Sequence, residues 1–152
     1  MLLYGQDAQV ASWVCQQLKL KPFPEGLYRA IGIIHEGRLI GGVIWHNYHE
    51  DNNGKPLLIE VSIATLDKRW ATRHNLRELF QYPFLQLGVK RVQATCHRKV
   101  KRVRSTLQRL GFQFEGIVRE AHPLGGDAAH YSMLLNECLW IKSESKVLPT
   151  SS

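Results

Sequence analysis

Apolar residues recur along the chain with two different periods, and each change of period marks an element. Met1 to Gly5 reads as a short opening strand. Behind Asp7, a side chain suited to an N-cap, Val10, Trp13, Val14 and Leu18 fall three and four residues apart. That spacing predicts an amphipathic helix, ended by the proline-containing turn Lys21 to Gly26. Leu27 to His35 is rich in β-branched and aromatic residues, Glu36-Gly37 is a tight turn, and Arg38 to Tyr48 is its antiparallel return. The polar stretch His49 to Lys55, with Asn52-Asn53-Gly54, predicts a second hairpin loop, and the mostly apolar Leu57 to Thr65 a central strand.

The second half changes character. Leu76, Leu79, Phe80, Phe84 and Leu87 predict a helix over Thr72 to Leu87, kinked at Pro83 or restarted there in a new turn because Pro83 removes a backbone donor, and closed by Gly88. Arg91 to Cys96 is a further strand. Val100, Val103, Leu107 and Leu110 form the apolar face of a last helix, stopped by Gly111. Phe112 to Glu120 and His130 to Trp140 are two closing strands around a Gly-Gly loop, and 142–152 is a polar, flexible tail. The order β-α-β-β-β-α-β-α-β-β predicts one α/β domain over residues 1–141, with a single mixed, mostly antiparallel sheet flanked by helices.

Composition narrows the class. With 152 residues and 44% hydrophobic content the chain has material for one core, which excludes wholesale disorder. No apolar run approaches the roughly 20 residues that cross a bilayer. The start Met-Leu-Leu-Tyr-Gly-Gln-Asp lacks the basic and apolar regions of a secretory signal. Cys15, Cys96 and Cys138 are widely spaced, which speaks against a disulfide framework or thiolate zinc site and for a reducing, cytoplasmic setting. Charge adds the unusual feature: 20 Lys+Arg against 13 Asp+Glu give +7, and eight of the basic residues lie between Lys90 and Arg109 with no acid among them. Such a run is either a solvated helix face or a patch for an anionic partner: a phosphorylated cofactor, a nucleic acid or an acidic protein surface.

Two motifs give that choice content. In the first, a strand ending at Thr65 feeds a loop, Asp67-Lys68-Arg69-Trp70-Ala71-Thr72-Arg73-His74, and then a helix N-terminus, where free N–H groups and the helix dipole attract anions. In the second, the basic helix ends in Leu110-Gly111-Phe112 and is followed by Glu115-Gly116-Ile117-Val118-Arg119-Glu120, with Tyr131-Ser132-Met133-Leu134 later. Together with the element order, these strings resemble the GNAT superfamily of acyl-CoA-dependent N-acyltransferases over roughly Leu27 to Trp140. The stretch Trp70 to Gly88, with Tyr82-Pro83-Phe84, is similar to bacteriophage-encoded members and to the ribosomal-protein N-acetyltransferase branch.

The resemblance implies an acetyl-CoA-dependent N-acetyltransferase whose acceptor is a primary amine: a protein lysine or N-terminus, a host protein's included, or a small amine. It places the pyrophosphate loop, Gln/Arg-x-x-Gly-x-Gly/Ala in the family, on Arg69, Trp70, Ala71, Thr72, Arg73 and His74, with Thr72 and His74 where glycines are usual. Ile63, Ala64 and Thr65 fall where the pantetheine arm pairs, and Arg104 beside the phosphates. Val100 and Leu107 stand where many members have an Asn and a general-acid Tyr. Glu60, in the central strand, is the leading candidate for the base that deprotonates the amine, against a plain strand-end ion pair. Tyr131 is a candidate to protonate the departing thiolate, against a core aromatic, with Ser132 as the fallback. His46-x-x-His49 before Glu50-Asp51 is a loose metal set with no fourth ligand, and no metal is expected. The missing glycines, Asn and Tyr leave a second reading open: a weak or inactive GNAT-like module that engages a host protein or nucleic acid through its basic helix. Neither a membrane nor a base-stacking aromatic surface enters either reading.

Overall fold

The structure, a computed structural model, describes residues 1–141; the tail expected over 142–152 lies outside the described residues. Strands β1 (Leu2–Leu3), β2 (Tyr28–His35), β3 (Arg38–Glu50), β4 (Pro56–Thr65), β5 (Arg91–His97), β6 (Gln113–Val118) and β7 (Ala128–Leu134) form one seven-stranded sheet in the order β1-β2-β3-β4-β5-β7-β6. All neighbours are antiparallel except β4 and β5. That parallel step is bridged by a helical crossover, as a parallel connection requires.

Helix α1 (Asp7–Leu18) lies on one face of the sheet, where Val10, Ala11, Val14 and Cys15 meet Ala30, Ile44 and Ala64. The approach is close because β3 carries glycine there. A Cβ on Gly42 would stand 2.7 Å from Val14 Cγ2. On the opposite face, α2 (Arg73–Gln81) and α3 (Lys101–Leu110) bury Leu76, Leu79, Phe80, Leu107 and Leu110 in the larger core with Trp45, Val61, Val92 and Tyr131.

Several boundaries differ from the sequence pattern, each for a local reason. Asp7 is not the N-cap but the first helical residue: Gln6 caps α1 without a side-chain bond, and Asp7 instead pairs with Arg29 at 3.5 Å. The helix expected over Thr72 to Leu87 ends at Gln81 and continues as one wide π-turn, Tyr82–Leu87, in which Gly88 N–H reaches Pro83 O at 3.0 Å. This is how the chain absorbs Pro83 within a helix. Val100 caps α3 instead of belonging to it. The strand expected over His130 to Trp140 runs only from Ala128 to Leu134. It is then turned aside at Leu135–Glu137, where Glu137 accepts from the Leu134 N–H at 2.8 Å and from Gln113 at 2.6 Å. A short 3-10 turn over Lys68–Ala71, between β4 and α2, has no counterpart in the hydrophobic pattern.

Candidate active site

The two central strands part company. β4 and β5 are paired only at Leu58–Arg91, Ile59–Val92 and Glu60–Gln93. Beyond Glu60, β4 stays with β3 through Gly41–Thr65, Gly42–Ala64 and Val43–Ile63, whereas β5 stays with β7 as far as His97–Ala128. A wedge therefore opens between them, and one edge of Val61 to Thr65 has no strand partner among the described residues. Unpaired strand backbone is a template for an extended, amide-bearing ligand. Ile63, Ala64 and Thr65 lie on that open edge.

The wedge widens toward the N-terminus of α2. By their position in the first turn, the N–H groups of Arg73 and His74 have no intrahelical acceptor. The third, from Asn75, is taken by the Thr72 hydroxyl at 3.1 Å. Here lies the reason for a non-glycine sequence: Thr72 is the helix N-cap, and Trp70 is a buried anchor whose Cβ would lie 3.1 Å from a Cβ on Gly41. Asn75 locks the turn by donating to Trp70 O at 3.1 Å. Arg69 does not turn toward the wedge. Its guanidinium is held by Asp67 and lies 3.0 Å from His35 Nε2, and this pairing holds the Asp67 carboxyl far below the usual carboxylate range. Ala71 ends the 3-10 turn, Arg73 extends over the Trp140 ring at 5.8 Å, and His74 pairs with Glu78 at 3.7 Å. Lys68 is an exposed cation in the 3-10 turn; at the end of β5, His97 packs against His122 at 5.1 Å, Arg98 pairs with Asp127 at 3.1 Å, and Lys99 is exposed.

Arg104 is directed elsewhere. It donates from Nε to the Tyr131 hydroxyl at 2.8 Å and from Nη1 to Arg98 O at 3.1 Å, and it lies over Phe114 at 5.0 Å, above β7 and β6. Leu107 is buried in the core and Val100 is half exposed.

At the apex stands Glu60, accepting from Asn47 Nδ2 at 3.3 Å and Gln93 Nε2 at 3.4 Å. Asn47 reaches it because β3 shifts register between His46 and His49, with Asn47 in the left-handed region at φ 53°. Alternation places Glu60, Gln93 and Ser132 on one face of the sheet, since Glu60 is opposite Gln93 and Gln93 opposite Ser132. Ser132 is buried and assists Arg91 in holding the Glu115 carboxyl below its ordinary value. Tyr131 is on the other face, fully buried, so Glu60 and Ser132 share a face two strands apart, with Gln93 between them, and Tyr131 does not join them.

Two side chains that the pattern did not single out as a pair complete the apex. His46, buried on β3 opposite Glu60, lies with Nε2 2.9 Å from Ser62 Oγ, and Phe23 covers its ring at 4.5 Å. Burial pulls the imidazole below its ordinary value, outweighing the opposite influence of Glu60. The metal-like run is dispersed: Glu50 accepts from Tyr48, and Asp51 accepts from the N–H groups of Asn53 and Lys55. Among the described residues no cluster of three His, Cys, Asp or Glu is placed to hold a metal. A cleft of about 510 Å³, bounded by Tyr28, Arg29, His46, Asn47, Tyr48 and Tyr82, adjoins the apex.

A sheet of this order, wedged open between its parallel strands above a helix N-terminus, is the acyl-CoA N-acyltransferase (GNAT) fold. Solved structures agree. A spermidine N-acetyltransferase variant from Vibrio cholerae superposes with a TM-score of 0.68 at 13% identity, over 88% of this chain and 92% of that one. A GNAT-family acetyltransferase from Streptococcus pneumoniae gives 0.63 at 13% identity, over 88% and 98%. A GCN5-related N-acetyltransferase from Brucella melitensis gives 0.58 at 27% identity over 72% of this chain, which spans 52% of that longer one. None of these three is described as phage-encoded or as acting on a ribosomal protein. No protein-family model matches the sequence, and no curated protein resembles it.

Proposed function

We propose that this protein is an acetyl-CoA-dependent N-acetyltransferase that moves an acetyl group to a primary amine by direct attack on the thioester. The observation that carries the proposal is the wedge beyond the Glu60–Gln93 pair, with an open β4 edge leading to the unpaired donors of α2. The residues present fit the coenzyme. Ile63, Ala64 and Thr65 offer backbone to its amide-bearing arm. Ala71, Thr72, Arg73 and His74 offer main-chain donors for its pyrophosphate, and Lys68 with the β5-end cations offers charge. Donors on the main chain do not require glycine, so the Thr72 cap is compatible with phosphate binding. Arg69 and Trp70 shape the loop, and Arg104 and Tyr131 stiffen the neighbouring helix. When bound, acetyl-CoA supplies an activated acetyl thioester.

The chain supplies orientation and proton transfer. An ammonium entering through the cleft beside Tyr28 and Asn47 meets Glu60, whose carboxylate attracts it and takes its proton, directly or through one water. Ser132, on the same face, helps hold the Glu115 carboxylate that pairs with Arg91. Proximity of amine and thioester does the rest. The acceptor class is set by that cleft, whose mixture of aromatic and polar walls suits an alkyl amine such as lysine, an N-terminus or a small polyamine. Among the described residues no helix is long and apolar enough to cross a membrane.

Release of free CoA from acetyl-CoA, followed by thiol titration across polyamines, lysine peptides and free N-termini, tests the reading. Amine-dependent release is expected. No release with any amine, together with no calorimetric heat on adding CoA, would refute it.

A further inference from the structure

The family's usual acid is absent at Leu107, and Tyr131 faces away from Glu60, so the thiolate formed in the proposed reaction lacks an evident proton donor. The strongest unassigned chemistry in the molecule is the contact between the buried His46 and the half-buried Ser62. Ser62 follows Glu60 by two residues, shares its face, and sits at the start of the unpaired β4 run. Its Oγ lies 2.9 Å from His46 Nε2, a distance at which either group can donate according to the tautomer. The groups that face the ring are Glu60 from β4 and Tyr28, opposite it on β2, with Phe23 above. Glu60 is the charged one, and an imidazolium formed there would be stabilised by its carboxylate.

We infer that Ser62 and His46 form a proton relay that carries the proton released from the acceptor nitrogen to the departing thiolate. The inference rests on the N-acetyltransferase reading. In sequence, Glu60 takes the first proton from the ammonium. The amine nitrogen then bonds to the acetyl carbon and the carbon–sulfur bond breaks. The second nitrogen proton passes to Ser62 Oγ as the hydroxyl proton moves to His46 Nε2, and the reverse transfer delivers a proton to sulfur. Nitrogen loses two protons, one to Glu60 and one to the thiol, and the relay returns to its starting state. A ring kept neutral by burial is ready to accept at physiological pH, since its pKa is held below the ordinary value of 6.5.

The test is a double-mutant cycle on the full chain with acetyl-CoA and the amine it uses best. Ser62→Ala and His46→Gln should each lower kcat by about 100-fold, the scale of general acid–base catalysis. The KM for acetyl-CoA should be unchanged. The double variant should lose no more than either single change, because the two groups act in series. An independent readout is NMR titration of the His46 ring, which should move toward the ordinary histidine value in Ser62→Ala when its hydroxyl partner is removed. Single variants that keep most of their kcat, losses that multiply in the double variant, or a His46 titration indifferent to Ser62→Ala would each overturn the relay. Should His46→Gln fail to fold, Ser62→Ala decides alone through its kcat and its NMR titration. The two levels separate cleanly: a wild-type chain that neither binds CoA nor transfers acetyl refutes the enzyme reading, whereas wild-type turnover with unaffected variants refutes the relay only.

Discussion

At the apex of the wedge, individual side chains divide the work by the partners they already have. Among the described residues Glu60 is held by two amide donors, Asn47 and Gln93, and by no cation, which leaves its carboxylate available to an incoming ammonium. Glu60→Gln should reduce kcat by about 100-fold near neutral pH while leaving the KM for acetyl-CoA in place. Turnover should recover as the pH is raised and the free amine becomes abundant. Unchanged turnover at neutral pH would remove Glu60 as the base. His46 carries a separate, structural prediction. Burial places its folded-state pKa below the unfolded value near 6.5, so between the two the unfolded chain binds more protons. Its contribution to stability is therefore whole above about 6.5 and is lost as the pH falls through that window. Asp51, Asp127 and Glu115, held below their ordinary values by backbone donors and arginines, lose theirs only at lower pH, in the carboxylate range. Melting temperatures between pH 7 and 5 should fall less steeply for His46→Gln than for the wild-type chain; superposed slopes would contradict the buried-neutral assignment.

At the scale of elements, the turn that delivers the chain from β4 to α2 is built for stability. Thr72 caps the helix, so Thr72→Ala should cost about 1 kcal/mol, while Thr72→Gly should cost only a few tenths. Denaturant unfolding measures both, and CoA affinity should survive each change because the donors are on the main chain. The periodic elements were legible: apolar spacing located α1, α2 and α3, because each buries one regular face, and turn residues located the Glu36-Gly37 hairpin. Trp70 was not legible as an anchor, since its burial depends on the glycine at position 41 on a strand far away in sequence. Pro83 announced an interruption but not that the chain would answer it with a π-turn. The early end of β7 depends on the Glu137 carboxylate reaching Leu134 and Gln113, a contact that no periodicity records. Glu60 was legible as a polar residue in an apolar strand. His46 and Ser62 were visible only as separate residues, because their meeting requires the β3–β4 register.

For the molecule as a whole, the surplus of positive charge resolves into several tasks. Arg91 pairs with Glu115, Arg98 with Asp127, and Arg104 with the Tyr131 hydroxyl, so part of the Lys90–Arg109 run ties β5 and α3 to the closing strands. Lys68, in the turn after β4, and Lys99, after β5, are exposed, and in the proposed reading they offer charge to a phosphorylated coenzyme. The sheet opens toward that mouth and closes toward the apex, which orders the proposed reaction in space: phosphates at the rim, the arm along β4, the thioester beside Ser62 and Glu60, and the amine in the cleft beyond. The claim on which all of this depends is that CoA lies along the open edge of β4. Backbone amide shifts measured by NMR on adding CoA test it directly. The account predicts concentrated shifts at Val61 to Thr65 and at Ala71 to His74, with β1 and the outer face of α1 undisturbed. Saturating CoA that leaves those amides unmoved, or moves only residues remote from the wedge, would contradict it.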